Sequence, residues 1–184
     1  IRIAPLYWLA TGLALMTIWL VPWSFQHAIV DGEHLLKSLA FIPVMDGRGA
    51  YEPILFVGWT LNFEMAFYAL FALSLFLPRF YRLPALIVAL TALYLIGYVS
   101  PVENPLRFYG YSILFEFAAG CLIGAALQNP RMRSVLDRVP AWPLVILGAS
   151  AVLATTPLFE SPAPRILVGG VPAMLIVLGV VLLD

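Results

Sequence analysis

The stretch PILFVGWTLNFEMAFYALFALSLFLPRF, residues 53–80, joins a membrane-length apolar run to a cluster of polar groups that such a run normally excludes. Between 54 and 77 the one side chain that ionises near or below neutrality is Glu64. At about 1.5 Å rise per residue the run is long enough to cross a bilayer as a helix. On that helix Thr60, Glu64 and Tyr68 fall at i, i+4 and i+8 and form one polar stripe, with Trp59 and Asn62 one to two positions round from it. The stripe is expected to face protein or a cavity rather than lipid. A carboxylate at mid-bilayer costs roughly 2.5–3.5 kcal/mol on insertion scales. Glu64 is therefore either a structural carboxyl bonded to a neighbouring helix or part of a site.

The rest of the composition agrees with a membrane setting. Hydrophobic residues make up 62% of the 184, charged residues 11%, and the mean hydropathy is +0.97, which marks an integral membrane protein. Ten Lys and Arg balance ten Asp and Glu, so no basic excess points to nucleic acid. The single cysteine, Cys121, lies in an apolar run and reads as a small hydrophobe. Six apolar runs can span, at 5–21, 54–77, 83–99, 109–127, 141–156 and 166–183, the fifth being near the lower length limit. In lipid these must be helices, because each backbone polar group needs a partner within its own segment. The expected fold is thus an all-α polytopic bundle forming one transmembrane domain over residues 1–184, with about six spans visible.

Charge placement orients the bundle. With Ile1 inside, the inner segments hold Arg2, Arg79, Arg82, Arg131, Arg133 and Arg138 against one acid, Asp137. The outer segments hold Lys37, Arg48, Arg107 and Arg165 among six acids. The long outer connection contains GEHLLKSLAFIP, residues 32–43, whose Leu35, Leu36, Leu39 and Ala40 share a helical face suited to the membrane surface or to packing on the bundle. A turn is expected at Asp46-Gly47-Arg48-Gly49.

A second intramembrane acid, Glu116, precedes Gly120 and Gly124 at i+4 and i+8, a spacing that permits close helix approach. It reads either as a structural hydrogen-bonding group or as part of a cavity lining. Gly169, Gly170 and Pro172 are expected to bend or unwind the last run. His27, Asp31 and His34 have spacings of four and three, but Gly32 and Pro22 disturb such a helix and no metal site is expected. No phosphate-cradling loop, H-E-x-x-H or G-x-S-x-G occurs.

Four blocks together resemble the acyltransferase 3 family: R-I-A-P-L-Y-W-L at 2–9, K-S-L-A-F-I-P at 37–43, G-W-T-L-N-F-E-M-A-F-Y at 58–68 and L-F-E-F-A-A-G-C-L-I-G at 114–124. These are bacterial membrane O-acyltransferases acting on exopolysaccharide, lipopolysaccharide O-antigen and nodulation factors. The resemblance implies a multi-pass protein of the bacterial inner membrane that transfers an acyl group, most often acetyl, from acyl-CoA to a hydroxyl of a polysaccharide or lipid-linked sugar. No bound cofactor is implied, acyl-CoA being a donor substrate. Arg2 matches the later arginine of a cytoplasmic R-x-x-R pattern and is expected to hold CoA phosphate. Trp59, Thr60 and Glu64 match the family's intramembrane polar block, and Glu116 a recurrent acid in a later helix. Glu64 is the expected catalytic residue, while Trp59, Thr60, Asn62, Tyr68 and Glu116 are expected to line an acceptor or acyl cavity. The family's essential histidine lies in its first helix, a place that neither His27 nor His34 occupies. The resemblance therefore implies a chain truncated at both ends, with about six of some ten helices present and no activity alone. A transporter or flippase for a lipid-linked glycan, with Glu64 and Glu116 binding a proton or substrate, is the competing reading.

Overall fold

The computed structural model describes residues 3–20, 32–45, 49, 51, 53–55, 57–155 and 166–183. Eight α-helices run in order among them: α1 (Ile3–Leu20), α2 (Gly32–Leu39), α3 (Gly58–Ser74), α4 (Arg79–Val99), α5 (Ile113–Gln128), α6 (Pro130–Leu136), α7 (Ala141–Thr155) and α8 (Val171–Val181). A 3-10 turn at Pro105–Tyr109 follows α4, and a π-helical turn at Ile166–Gly170 leads into α8. No strand occurs among the described residues, where an isolated antiparallel bridge pairs Met45 with Tyr51. The expected all-α class therefore holds, and each of the six apolar runs contains a helix. Two of them, Ile3–Leu20 and Arg79–Val99, are each long and apolar enough to cross a membrane. A third candidate is α5 with α6, bent by 101° at their break. Arg2, the His27 and Asp31 pair, and the Asp46 to Arg48 part of the expected turn lie outside the described residues.

Each boundary has a local cause. Helix α3 begins at Gly58, later than its apolar run, where Gly58 N–H donates to Leu55 O at 2.8 Å. The α3–α4 turn is tied by Arg82 Nε donating to Leu77 O at 3.0 Å, which supplies a donor to a carbonyl of the connection beyond α3. The α5–α6 break falls at Asn129, whose Oδ1 accepts from Arg131 N–H at 3.0 Å, with Pro130 in the first helical position. Arg131, Arg133 and Arg138 thereby leave the apolar course of α5.

The chain forms two compact units: Ile1–Ala69 with Ile96–Gly110, and Leu70–Leu95 with Tyr111–Asp184. In the first, α2 packs beside α1. Ser38 Oγ lies 2.9 Å from the Tyr7 hydroxyl and accepts the Ile54 N–H at 3.3 Å, and Trp8 Nε1 donates to Leu39 O at 3.0 Å. The residue of α2 buried against α1 is Ser38, while Leu36 of the expected apolar face is 70% exposed. Ser38 sits at the level of Tyr7, about 20 Å along α1 from Leu20 at 1.5 Å per residue. The chain reverses there through Phe41, whose φ of +58° is unfavourable for a bulky residue. Its ring rests against Tyr7 at 5.1 Å, and Ile42 N–H donates to Lys37 O at 2.9 Å, so packing and a helix-capping bond offset the strain.

Glycine decides the closest approaches. At Gly97 a Cβ would lie 2.7 Å from both Leu106 O and Tyr109 C, so the end of α4 meets the 3-10 turn backbone to backbone. In the second unit, a Cβ at Gly148 would lie 2.7 Å from Pro172 O, and one at Gly179 3.0 Å from Ala141 O, which pins α7 against α8. Leu86, Leu90, Ile113, Leu114, Ala118 and Val168 are buried in that unit. Many large apolar side chains outside these cores are exposed, Trp19, Phe76 and Phe80 among them, as befits helices solvated by acyl chains. Gly97→Ala is expected to lower stability by about 1–3 kcal/mol, because backbone cannot yield as a side chain can. Gly12→Ala, where nothing lies within 4 Å, should be neutral or slightly stabilising. Thermal unfolding of the two variants in detergent checks the contrast.

Candidate functional site

The polar block of α3 falls on two adjoining faces. Asn62 and Phe63 are buried, at 3% and 0% exposure, while Trp59, Thr60 and Glu64 are half-buried and Tyr68 is 48% exposed. The helix thus sets Asn62 and Phe63 deepest, with Thr60 and Glu64 flanking them and Tyr68 a turn further on at the surface. Thr60 Oγ1 donates to Val57 O at 3.0 Å, which satisfies a carbonyl just before the helix and leaves the hydroxyl oxygen as an acceptor.

Phe63 is the centre of an aromatic cluster in the first unit. Its ring stacks on Phe108 at 4.5 Å and meets Tyr109 edge-on at 5.7 Å and Trp59 edge-on at 6.1 Å. Tyr51 in turn meets Phe108 edge-on at 6.1 Å. Such pairs add roughly 0.5–1.5 kcal/mol each beyond their burial. The segment that delivers Phe108 and Tyr109 is held by hydrogen bonds: Asn104 Oδ1 accepts Leu106 N–H at 2.9 Å, and the Arg107 guanidinium donates to Tyr98 O. The Tyr51 hydroxyl sits within reach of two carbonyls, Val102 O at 2.6 Å and Asn104 O at 2.8 Å. Trp59 is therefore one wall of a built aromatic surface rather than a lone ring on a helix.

Glu116 belongs to the second unit and occupies the first turn of α5. There the unpaired N–H groups favour a carboxylate by about 0.3–1 kcal/mol at exposed sites. Gly120 and Gly124 have nothing within 4 Å of an added Cβ among the described residues, so their shared face is not the close contact that the spacing suggested. The close contact is Gly170, where a Cβ would meet Glu116 Cγ at 3.2 Å and Oε1 at 3.3 Å.

Arg2 lies outside the described residues. Further along α1, a groove of about 600 Å³ opens between α1 and α2, lined by Trp8, Thr11, Leu15, Leu35 and Leu39 among others. Thr11 Oγ1 is buried there with no hydrogen-bond partner among the described residues. The sequence reading missed Phe63, Phe108, Tyr109 and Tyr51 as a group. They come from three separate segments, and aromatic residues inside apolar runs carry no periodic signal of their own. It noted Gly170 only as a bend.

Over 125 residues, 67% of its length, the chain is 42% identical to the exopolysaccharide production protein ExoZ of Rhizobium meliloti (strain 1021). The matched stretch covers 39% of that relative, so the chain spans well under half of the relative's length. No family model matches the chain. No solved structure matches it.

Partial burial, and then the charge of Glu103, push the Tyr51 phenol above its ordinary value of 10.0. The folded value therefore exceeds the unfolded one. Tyr51 contributes stability that is whole below about pH 10 and is lost as pH rises through its folded value. Wild-type protein should show this alkaline loss in thermal unfolding followed against pH. Tyr51→Phe should start from a lower midpoint, having lost its bond to the 102 and 104 carbonyls, and should show a shallower decline.

Proposed function

We propose that this chain is part of a membrane-bound O-acyltransferase that moves an acyl group, acetyl first among candidates, from acyl-CoA to a hydroxyl of an exported polysaccharide sugar. The observation that carries this reading is the 42% identity to an exopolysaccharide production protein across 125 residues. The half-buried Glu64, in a helix of largely apolar course that also buries Asn62, supports it. So does the resemblance of the four sequence blocks to membrane O-acyltransferases. The reading places the protein in the bacterial inner membrane as a multi-pass bundle of about six helices in this part of the chain.

In the proposed reaction a sugar oxygen attacks the thioester carbonyl, the new C–O bond forms as the C–S bond breaks, and the hydroxyl proton leaves to a base. The family's base is a histidine outside these residues. Glu64 then orients that base or accepts a hydrogen bond from the sugar hydroxyl, and either role requires an acceptor oxygen held at fixed depth. Trp59 offers an apolar face to the sugar ring or acyl chain, with Phe63 and Phe108 fixing its support. Thr60, Asn62 and Tyr68 lie on the same helix, and Glu116, in the second unit, is the acid that the resemblance assigns to binding the acceptor. Arg2, which precedes α1 in the sequence, pairs with CoA phosphate in this reading, as a guanidinium fork suits.

Two variants of the full-length protein test the reading. At matched membrane levels in its own host, Glu64→Gln should abolish ester-linked acyl groups on the surface polysaccharide while total glycan stays normal. A fall in total glycan would assign the protein to transport, and unchanged esters would leave Glu64 a structural role. Arg2→Ala should raise the KM for acyl-CoA about tenfold, the loss expected for one charge-assisted hydrogen bond. An unchanged KM in a purified transfer assay would remove Arg2 from the donor site.

A further inference from the structure

We propose that Thr155 and Gly170 are positioning residues that fix the Glu116 carboxyl, through a π-helical turn built at the start of α8 for that purpose. The functional weight of this device rests on the acyltransferase reading, in which Glu116 accepts a hydrogen bond from the hydroxyl of the sugar acceptor.

The turn is the starting point. Ile166–Gly170 winds with π spacing before α-helical geometry resumes at Val171. A π turn inserts an extra residue, widens the backbone and weakens the ordinary ladder of bonds, so it persists where something else compensates. Where a backbone group of the turn is buried, the compensation must come from the protein. Val168, in the middle of the turn, is buried at 4% exposure. Its carbonyl accepts from Thr155 Oγ1 at 2.6 Å. A helical threonine ordinarily bonds back to its own helix. Ala151 O at 2.8 Å offers that choice here, and the bond across to the π turn is the shorter one. The reach from α7 is possible because Gly148 lets α7 lie against the Pro172 carbonyl of α8.

What the widened turn accomplishes is visible at its last residue. Gly170 is buried, and a Cβ placed on it would stand 3.2 Å from Glu116 Cγ and 3.3 Å from Oε1. The carboxyl of Glu116 therefore packs directly on the Gly170 backbone. Any side chain at 170 would push it aside by a few tenths of an ångström. One chain of contacts runs from the Thr155 hydroxyl to the Val168 carbonyl, through the π turn to Gly170, and on to the Glu116 carboxyl. Nothing in this chain requires Gly169 or the Gly120 and Gly124 pair. The device names two residues, on two different segments, that act on the site without touching a substrate.

The test uses the full-length protein in detergent with four forms: wild type, Gly170→Ala, Thr155→Val and Thr155→Ser. The first readout is the rate at which dicyclohexylcarbodiimide modifies Glu116, followed by peptide mass spectrometry. That rate reports the carboxyl's freedom without reference to activity. Gly170→Ala and Thr155→Val should each change it by roughly threefold or more, upward as the carboxyl is released, the shift that losing one hydrogen bond or contact produces. Thr155→Ser keeps the hydroxyl and should match wild type. The second readout is acyl-CoA-dependent ester transfer, which should fall in the same two variants and survive in Thr155→Ser. Equal modification rates at Glu116 in all four proteins would overturn the proposal, whatever happens to transfer. A rate change in the expected variants, with no transfer even by wild type, would uphold the positioning device and sink the acyltransferase reading instead. Should Gly170→Ala fail to fold, the Val and Ser pair at 155 decides the matter alone.

Discussion

Backbone groups removed from water must find partners inside the chain, and at several irregular points this fold answers that demand with a side chain. Arg82 serves the Leu77 carbonyl in the connection beyond α3, Trp8 serves the Leu39 carbonyl at the end of α2, and Thr155 serves Val168 within the π turn. Asn129 and Asn104 cap the two segments that begin beyond an interruption. An unsatisfied group in hydrocarbon costs several kcal/mol, far more than the net value of most single contacts. The positions of these polar residues are accordingly the positions at which the helices are allowed to stop, turn or widen.

Once the backbone is satisfied, packing depends on how near two backbones can come. Apolar helices in lipid gain little from burying leucine, because the acyl chains around them are equally apolar. Close approach supplies the dispersion contacts that replace the missing driving force. Gly97 against the 3-10 turn, Gly148 against Pro172 and Gly179 against Ala141 supply it here. Where aromatic rings take over, as around Phe63, the contact is held by ring geometry instead. The two devices share a result, which is to hold polar groups of α3 and α5 at set depths in helices that lipid alone would let slide.

The polar groups so held differ in their support. Glu64 lies half-buried on α3, the helix that also carries buried Asn62 and the Trp59–Phe63 ring pair. Glu116 opens α5, where the helix N-terminus favours its charge and the Gly170 backbone limits its travel. A carboxyl held from one side by a helix end and from another by a glycine has little conformational freedom to lose when a ligand arrives. Such pre-organisation lowers the entropic cost of binding.

The helix class and the place of a helix in each apolar run were legible in the chain, whereas the break at Asn129 was not, and two of the runs hold single helices long enough to cross a membrane. What was legible depends on residues near one another in sequence, and hydrocarbon leaves the backbone few alternatives. The amphipathic face of α2 was legible too, but not its partner: Tyr7 and Ser38 are thirty-one residues apart, and their hydroxyls give no pattern that pairs them. For the same reason the G-x-x-x-G spacing at Gly120 pointed to a contact that Gly170 makes instead. A spacing rule records which residues share a face and says nothing of which face meets another helix. Local composition determined where this chain is helical and where it is polar within apolar runs. The long-range meeting of glycine, threonine and aromatic side chains, set by complementary shape and by backbone groups in need of partners, is what the tertiary structure alone decided.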